Sequence, residues 1–320
     1  MDRSWCGASV VQGIWRSPAG NWLEVQRLRY RKSVTIRTRF APSPTGPLHL
    51  GHAYSALFAA DLAREAGGTF LLRSEDIDQS RARPEWEAQM YNDLTWLGLT
   101  WPEPVMRQSE RLQAYREALA QLWALGVLYP CTCTRRDIKE AAAAPQEGAP
   151  LIGPDGVIYP GTCRMKPRPP DMPKDEVLRL DMAQAMQRIG PDVAFHEDGL
   201  GPDGEHGRIV VTADHLTHRV GDVVLARRDM GTSYHLSVVV DDAAQGITHV
   251  VRGADLFEAT AIHVVLQCLL GLPTPVYHHH RLIRDDDGKR LAKRDDARAI
   301  ALYRREGATP RDIRRMVGLI

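Results

Sequence analysis

Two histidines three residues apart frame the tetrapeptide His49-Leu50-Gly51-His52, where a run of turn formers gives way to a helical pattern. The start of a helix offers unpaired backbone N–H groups and the positive end of the helix dipole, which suits phosphate. Gly51 would let a nucleotide come close to the backbone, and two imidazoles one turn apart can donate hydrogen bonds to phosphate oxygens. A second segment with the same leaning is GKRLAKRDD at 288–296, a Gly-led loop bearing Lys289, Arg290, Lys293 and Arg294. Such a loop can fold over a triphosphate and stabilise the charge that develops on departing pyrophosphate. Taken singly, the first segment reads more readily as two ordinary polar histidines and the second as a solvated basic loop. A third cluster is sulfur: Cys131-Thr132-Cys133, followed by Cys163. Three thiolates at this spacing suggest one structural zinc ion, whose fourth ligand stays open between water, a nearby histidine and another side chain. Reduced cysteines in a loop-rich insertion are the plainer alternative.

These residues need elements to bring them together. VTIRTRF at 34–40 alternates apolar with polar residues and predicts a strand. APSPTGP after it is a turn, and residues 53–68 carry apolar positions at helical spacing up to a Gly pair. Strand, tight turn and helix open a Rossmann-like unit. Phe70–Arg73 predicts the next strand, with helices at about 84–97 and 109–126. Over 131–205 Pro and Gly become dense and the apolar period fades, which predicts an insertion of small strands and loops. Strands are expected again at 208–212, 222–226 and 235–240, then a helix near 258–270 and a strand at 276–280. The last twenty residues predict two short helices around Thr309-Pro310. The histidine and lysine segments are far apart in sequence, so only the fold can join them, at the C-terminal ends of parallel strands.

With these segments in hand, the chain resembles the class I aminoacyl-tRNA synthetases, whose signatures are a HIGH-type and a KMSKS-type motif. RFAPSPTGPLHLGHA, RSEDID, YHLSVVVDD and VVRGADL are similar to the glutamate-specific branch, and within it to the relatives that transfer glutamate to queuosine in tRNA(Asp). The resemblance runs from about residue 35 to the end. It implies an α/β fold: a Rossmann-like class I catalytic domain with a zinc-containing insertion and a short C-terminal helical segment. The expected divisions are an N-terminal extension at 1–33, catalytic halves at 34–130 and 206–300, the insertion at 131–205 and the terminal segment at 301–320. It further implies a glutamate pocket from Arg39, Phe40, Ala41, Pro42 and Ser43, with Glu75 on the substrate ammonium, Tyr234 and Arg252. Arg252 or Arg39 would grip the side-chain carboxylate in the fork that a guanidinium offers. ATP, bound with Mg2+, would meet His49, Gly51, His52, Arg290 and Lys293, with His49, His52 and Lys293 as the catalytic set. Tyr159 becomes the expected fourth zinc ligand beside Cys131, Cys133 and Cys163. The loop departs from the family pattern at Arg290, which keeps the charge of the usual lysine, and at Ala292, which lacks the usual serine hydroxyl.

The bulk properties fit these expectations. The 320 residues carry a net charge of +1, so any RNA contact rests on local basic patches, with Arg304, Arg305, Arg311, Arg314 and Arg315 as candidates. No apolar run is long enough for a membrane helix, and no signal-peptide pattern follows Met1. A cytoplasmic monomer acting on ATP, L-glutamate and queuosine-bearing tRNA(Asp) is therefore expected. Five cysteines in a reducing compartment argue against a disulfide framework. The chain stops soon after the KMSKS-like loop, which leads to the expectation that it lacks an anticodon-binding domain. A compact synthetase charging the tRNA 3′ end and a non-catalytic tRNA- or nucleotide-binding paralogue stay open as alternatives. Two further groups carry weaker signals. Three consecutive histidines, His278–His280, cannot all face one ion from a strand, and His280 is the expected inward one. Asp241-Asp242 reads equally as a Mg2+ site or a helix cap at the end of an apolar strand.

Overall fold

In a computed structural model of the chain, residues 35–142, 152–283 and 298–320 are described. β1 (Arg37–Phe40) leads through the proline-rich turn into α1 (Leu50–Glu65), and β2 (Thr69–Ser74) returns parallel to β1 with Arg39 beside Leu71. Gly68 makes this return possible. Its Cα lies so close to the start of β1 that a Cβ would sit 2.1 Å from the Ile36 carbonyl oxygen. α2 (Pro84–Trp96) starts at a proline and places Glu85 and Glu87 at the positive end of its dipole. β3 (Met106–Arg107), α3 (Leu112–Ala124), β4 (Leu128–Cys131) and α4 (Arg135–Ala142) follow. A short hairpin of β5 (Ile152–Gly153) and β6 (Gly156–Val157) precedes β7 (Val177–Leu180), α5 (Met182–Ile189), β8 (Asp192–Glu197) and β9 (Gly207–Thr212). The chain continues through β10 (Val224–Ala226), α6 (Tyr234–Ala244), β11 (His249–Gly253), α7 (Thr260–Leu270) and β12 (Val276–His280). It closes with α8 (Ile300–Arg305) and α9 (Pro310–Met316), the latter capped by Thr309.

β1, β2 and β3 are parallel neighbours, as are β11, β12 and β8, while β9 adds antiparallel to β8. The two sets abut along β1 and β11. The Thr248 amide donates to the Arg37 carbonyl at 3.0 Å, and the Arg37 amide donates to the Thr248 hydroxyl at 2.8 Å. From β1 the chain therefore steps outward to β2 on one side, and β11 lies on the other. This is the switch point at which open α/β sheets leave a crevice beyond their strand ends. A smaller antiparallel sheet, β4–β7–β10, stands apart from it.

Apolar burial follows the layers. Leu48, Leu57, Leu94, Ile300, Ile313 and Val317 join α1, α2, α8 and α9 in one cluster. A larger cluster unites α3, α5, α6 and α7, with Tyr115, Leu180, Leu266 and Tyr277 among its fully buried members. α7 is buried continuously from Thr260 to Gln267, as expected of a helix apolar on nearly every side. It ends at Gly271 in the left-handed region, φ 65°, where a side chain would be strained.

Most expected elements are present within a few residues, but two regions differ. The strand predicted at 235–240 is instead the body of α6. His235 through Val239 are all buried, and a continuously buried apolar run carries no period that separates strand from helix. The distinguishing signal is Ser233, whose side chain accepts from the Leu236 amide and caps the helix. The span 131–205, read as small strands and loops, also holds α4 and α5, and its last strand, β8, pairs with β12 in the main sheet. Replacing Ser233 with alanine is expected to lower stability by about 1 kcal/mol. Urea unfolding of the two proteins would read this as a lower midpoint at unchanged slope.

Candidate active site

The histidine segment forms the first turn of α1. His49 is its N-cap, and its Nδ1 accepts from the Gly51 amide at 3.1 Å, while His52 Nδ1 accepts from the His49 amide at 3.2 Å. Each ring thus uses Nδ1 as an acceptor, which places its proton on Nε2 and aligns it as an N–H donor. The rings lie 3.8 Å apart, centroid to centroid. Gly51 has an additional reason to be glycine. A Cβ there would approach His49 Cε1 to 3.0 Å and crowd the capping ring. The Pro42 carbonyl accepts from the Glu75 amide at 3.0 Å, which joins the turn after β1 to the end of β2.

Beside this turn lies a buried charge network. Arg39 Nε and Nη2 donate to the two carboxylate oxygens of Asp242 at 3.0 and 3.3 Å, and Nη1 donates to the Val251 carbonyl at 3.3 Å. Arg73, wholly buried, donates to Asp242 at 2.7 Å, to Gln245 at 2.9 Å and to Glu75 at 3.1 Å. Asp241 accepts from Arg111 at 2.6 Å, Tyr115 at 2.7 Å and Gln108 at 3.0 Å. Burial alone would raise the Asp242 carboxyl, but Arg39 and Arg73 outweigh it and hold it below its ordinary value. For Glu75 burial prevails, and its pKa is raised despite Arg73 and Arg39. Asp241 and Asp242 therefore serve as counter-ions inside α6, neither as a cap nor at the end of a strand.

Arg252, at the end of β11, is held differently. Its Nε donates to His279 Nε2 at 3.1 Å, Nη1 donates to His263 Nδ1 at 3.1 Å, and Nη2 donates to the Thr260 hydroxyl at 2.7 Å. All three partners are uncharged, and among the described residues no carboxylate pairs with Arg252. Tyr234, at the start of α6, has its phenol raised by burial, with Arg252, Glu75, Arg39 and Asp242 all acting on it. The structure thus gathers Arg39, Glu75, Tyr234 and Arg252 around one end of the sheet. Arg39 is paired with Asp242, whereas Arg252 has no carboxylate partner among the described residues. Of the three histidines of β12, His279 faces this side. His280, the expected inward residue, is also buried but turns to α1, where Nε2 lies 2.6 Å from the Ser55 hydroxyl. Lys289, Arg290, Ala292, Lys293 and Arg294 lie outside the described residues.

The cysteine cluster forms at the end of β4. The sulfurs of Cys131, Cys133 and Cys163 lie within 4.8 Å of one another. The Tyr159 hydroxyl is 3.4 Å from Cys131 Sγ and 3.3 Å from Cys133 Sγ, and it accepts from the Cys163 amide at 2.9 Å. Tetrahedral ligands with zinc–sulfur bonds of about 2.3 Å would hold sulfurs some 3.8 Å apart, so this donor set fits a zinc ion. Burial raises the Cys163 thiol, but hydrogen bonds from Tyr159, the Thr132 backbone and Cys133 more than offset it and bring it down to about 6. Burial pushes the neighbouring Cys133 thiol up instead, so without an ion the cluster favours a thiolate at Cys163 rather than at Cys133.

Several of these residues were outside the sequence reading: Arg73, His263, Thr260 and Gln245. Arg73 sits within RSED, but its role needs Asp242 from a distant helix. His263 and Thr260 stand three apart on α7, a spacing that signals a shared face without naming its partner.

A parallel sheet open at a switch point, a helix start bearing His-x-Gly-His and an ionic pocket beside it define the catalytic core of a class I aminoacyl-tRNA synthetase. Residues 35–152 and 196–320 match the family described as tRNA synthetases class I (E and Q), catalytic domain. The chain belongs to that family. It is 64% identical over 284 residues to a Glutamyl-Q tRNA(Asp) synthetase of Rhodobacter capsulatus, covering 88% of this chain and 99% of the relative. A protein of the same name from Nitratidesulfovibrio vulgaris is 42% identical over 87% of this chain and 84% of its own. Among solved structures, a glutamate tRNA ligase from Elizabethkingia meningosepticum, in complex with its amino acid, aligns over 88% of this chain with TM-score 0.69 and 28% identity. The chain spans 60% of that ligase. A methionyl-tRNA synthetase of Mycobacterium tuberculosis, at 11% identity and TM-score 0.55, shares the fold alone.

Asp241→Asn is expected to destabilise the protein by roughly 1–3 kcal/mol, because Arg111 loses its charged partner and the Tyr115 and Gln108 donors lose a carboxylate acceptor. Denaturant unfolding of the variant beside the parent would measure it.

Proposed function

We propose that this protein uses ATP to activate L-glutamate as glutamyl-adenylate without tRNA, and transfers the glutamyl group to queuosine at the wobble position of tRNA(Asp). The observation that carries this reading is the 64% identity to a Glutamyl-Q tRNA(Asp) synthetase along 99% of that relative's length. The pocket supports it chemically. Arg252 offers a buried cation that is compensated by no carboxylate among the described residues, and an acidic amino acid supplies the missing charge.

In the proposed mechanism Arg252 takes the side-chain carboxylate, and Glu75 takes the substrate ammonium with Tyr234 beside it. Arg39, through Phe40, Ala41, Pro42 and Ser43, shapes the wall nearest the nucleotide. ATP, carried with Mg2+, places its phosphates over the start of α1, where Gly51 and the Nε2–H groups of His49 and His52 stand. An oxygen of the glutamate α-carboxylate attacks the α-phosphorus, a new P–O bond forms, and pyrophosphate leaves with the α–β bridging oxygen. The carboxylate is already ionised, so the step needs no base, and positioning and electrostatics supply the catalysis. Lys293 and Arg290 are proposed to meet the departing charge. A queuosine hydroxyl then attacks the adenylate carbonyl, and AMP leaves.

Cys131, Cys133, Cys163 and Tyr159 would hold a structural zinc ion, which would tie β4 to the segment after the β5–β6 hairpin. The protein is proposed to act as a monomer in the cytoplasm. No described helix is long and apolar enough to cross a membrane.

Glutamate-dependent ATP–pyrophosphate exchange is expected without tRNA, with labelled glutamate passing only to queuosine-bearing tRNA. Exchange that requires tRNA(Glu), with charging of the 3′ end, would overturn the reading. Arg252→Lys is expected to raise the KM for glutamate about 10- to 100-fold, by removing a forked charge-assisted contact. The purified protein is expected to carry about one zinc per chain by elemental analysis, and Cys163→Ser to lose it.

A further inference from the structure

The acceptors around Arg252 are unusual in what they leave out. A buried guanidinium is ordinarily matched by a carboxylate, as Arg39 and Arg73 are by Asp242. Arg252 is instead held by two imidazoles and a hydroxyl, and each proton in the array can be placed. Arginine has only donors, so His263 Nδ1 and His279 Nε2 must both be acceptors. His263 then carries its proton on Nε2 and donates it to His235 Nδ1, 3.1 Å away. His235 in turn carries its proton on Nε2, which faces the Asp155 carboxylate in the β5–β6 hairpin at 3.5 Å. On the other side, His279 keeps its proton on Nδ1 and donates it to Glu197 at 2.5 Å, and the Glu197 carboxylate also accepts from the His279 and Gly199 amides, both at 2.8 Å. Gly199 is packed so tightly here that a Cβ would lie 2.2 Å from the His279 carbonyl oxygen.

The two carboxylates at the ends of this array are thus kept from Arg252 by neutral rings, Glu197 behind one imidazole and Asp155 behind two. The two carboxylates fix the tautomers without bonding to Arg252. We propose that His263 and His279 are specificity-determining residues: as neutral acceptors they orient the Arg252 guanidinium while leaving its charge unspent, so that the pocket selects an acidic side chain over its amide isostere. The proposal rests on the reading above that Arg252 meets the amino-acid substrate. A carboxylate in either histidine's place would orient Arg252 equally well and cancel that selectivity, because glutamate would then arrive at a pocket already neutral.

His263→Asn and His263→Asp test this, since they share a shape and differ in charge. In glutamate-dependent ATP–pyrophosphate exchange, the KM for glutamate is expected to be about tenfold or more higher in H263D than in H263N. The KM for ATP is expected to be equal in the two, and the preference for glutamate over glutamine to narrow only in H263D. Equal glutamate KM values and equal preferences in the two variants would overturn the proposal. Should neither variant fold, 15N NMR of histidine-labelled parent protein decides. Neutral rings with Nδ1 bare on His263 and Nε2 bare on His279 are expected, and an imidazolium at either position overturns it. Absence of glutamate-dependent exchange in the parent protein would instead overturn the proposed function itself.

Discussion

The carboxylate of Asp242 lies between two buried arginines, Arg39 from β1 and Arg73 from β2, and the geometry of the pocket depends on that junction. β1 and β2 supply the cations, and α6 supplies the anion from a part of the chain some two hundred residues away. Three desolvated charges can coexist only if each is paired and hydrogen-bonded. Here Gln245, Glu75 and the Val251 carbonyl take further donors of the two arginines. The junction also ties α6, with Tyr234 in its first turn, to β1 and β2.

Against this neutralised junction, Arg252 stands out by contrast. The two guanidinium groups that the family resemblance made equal candidates for the substrate carboxylate are distinguished by their partners. One is bonded side-on to an aspartate, the other is cradled by neutral groups. Residue type could not separate them, because the difference lies in Asp242, His263 and His279, which three other elements bring into place. The same cradle explains why β12 carries consecutive histidines. Alternation along the strand sends His279 to Arg252 and turns His280 to α1, so neighbours in sequence serve opposite faces.

The sulfur cluster works on another scale. It is a small satellite of Tyr129, Cys131, Tyr159 and Cys163, in a region with little apolar material of its own. Arg179 lies over the Tyr159 ring, 3.9 Å from its centroid, and also donates to the Asp222 carbonyl, so the cluster is fastened to the β4–β7–β10 sheet. The hairpin that carries Asp155 stands just before Tyr159 in the chain. It approaches His235 at the start of α6, and so the insertion and the pocket meet.

Much of this was legible in the chain itself. Periodicity and turn chemistry located β1, α1, α2, α3, β12 and the capped α9, because those signals are local and each element buries a single face or begins at a recognisable cap. Spacing alone grouped the cysteines, and the signature segments named the family. Local signals failed where burial is complete. Val238–Val240 looks like a strand because a helix buried on all sides has no polar stripe, and β8 looked like part of a loop-rich insertion because its partner, β12, lies some eighty residues on. The amino-acid sequence alone carried the cysteine spacing and the signature segments that place the chain in its family. Which arginine is matched by a carboxylate and which by neutral groups follows from the fold, since those partners come from strands and helices distant in the chain.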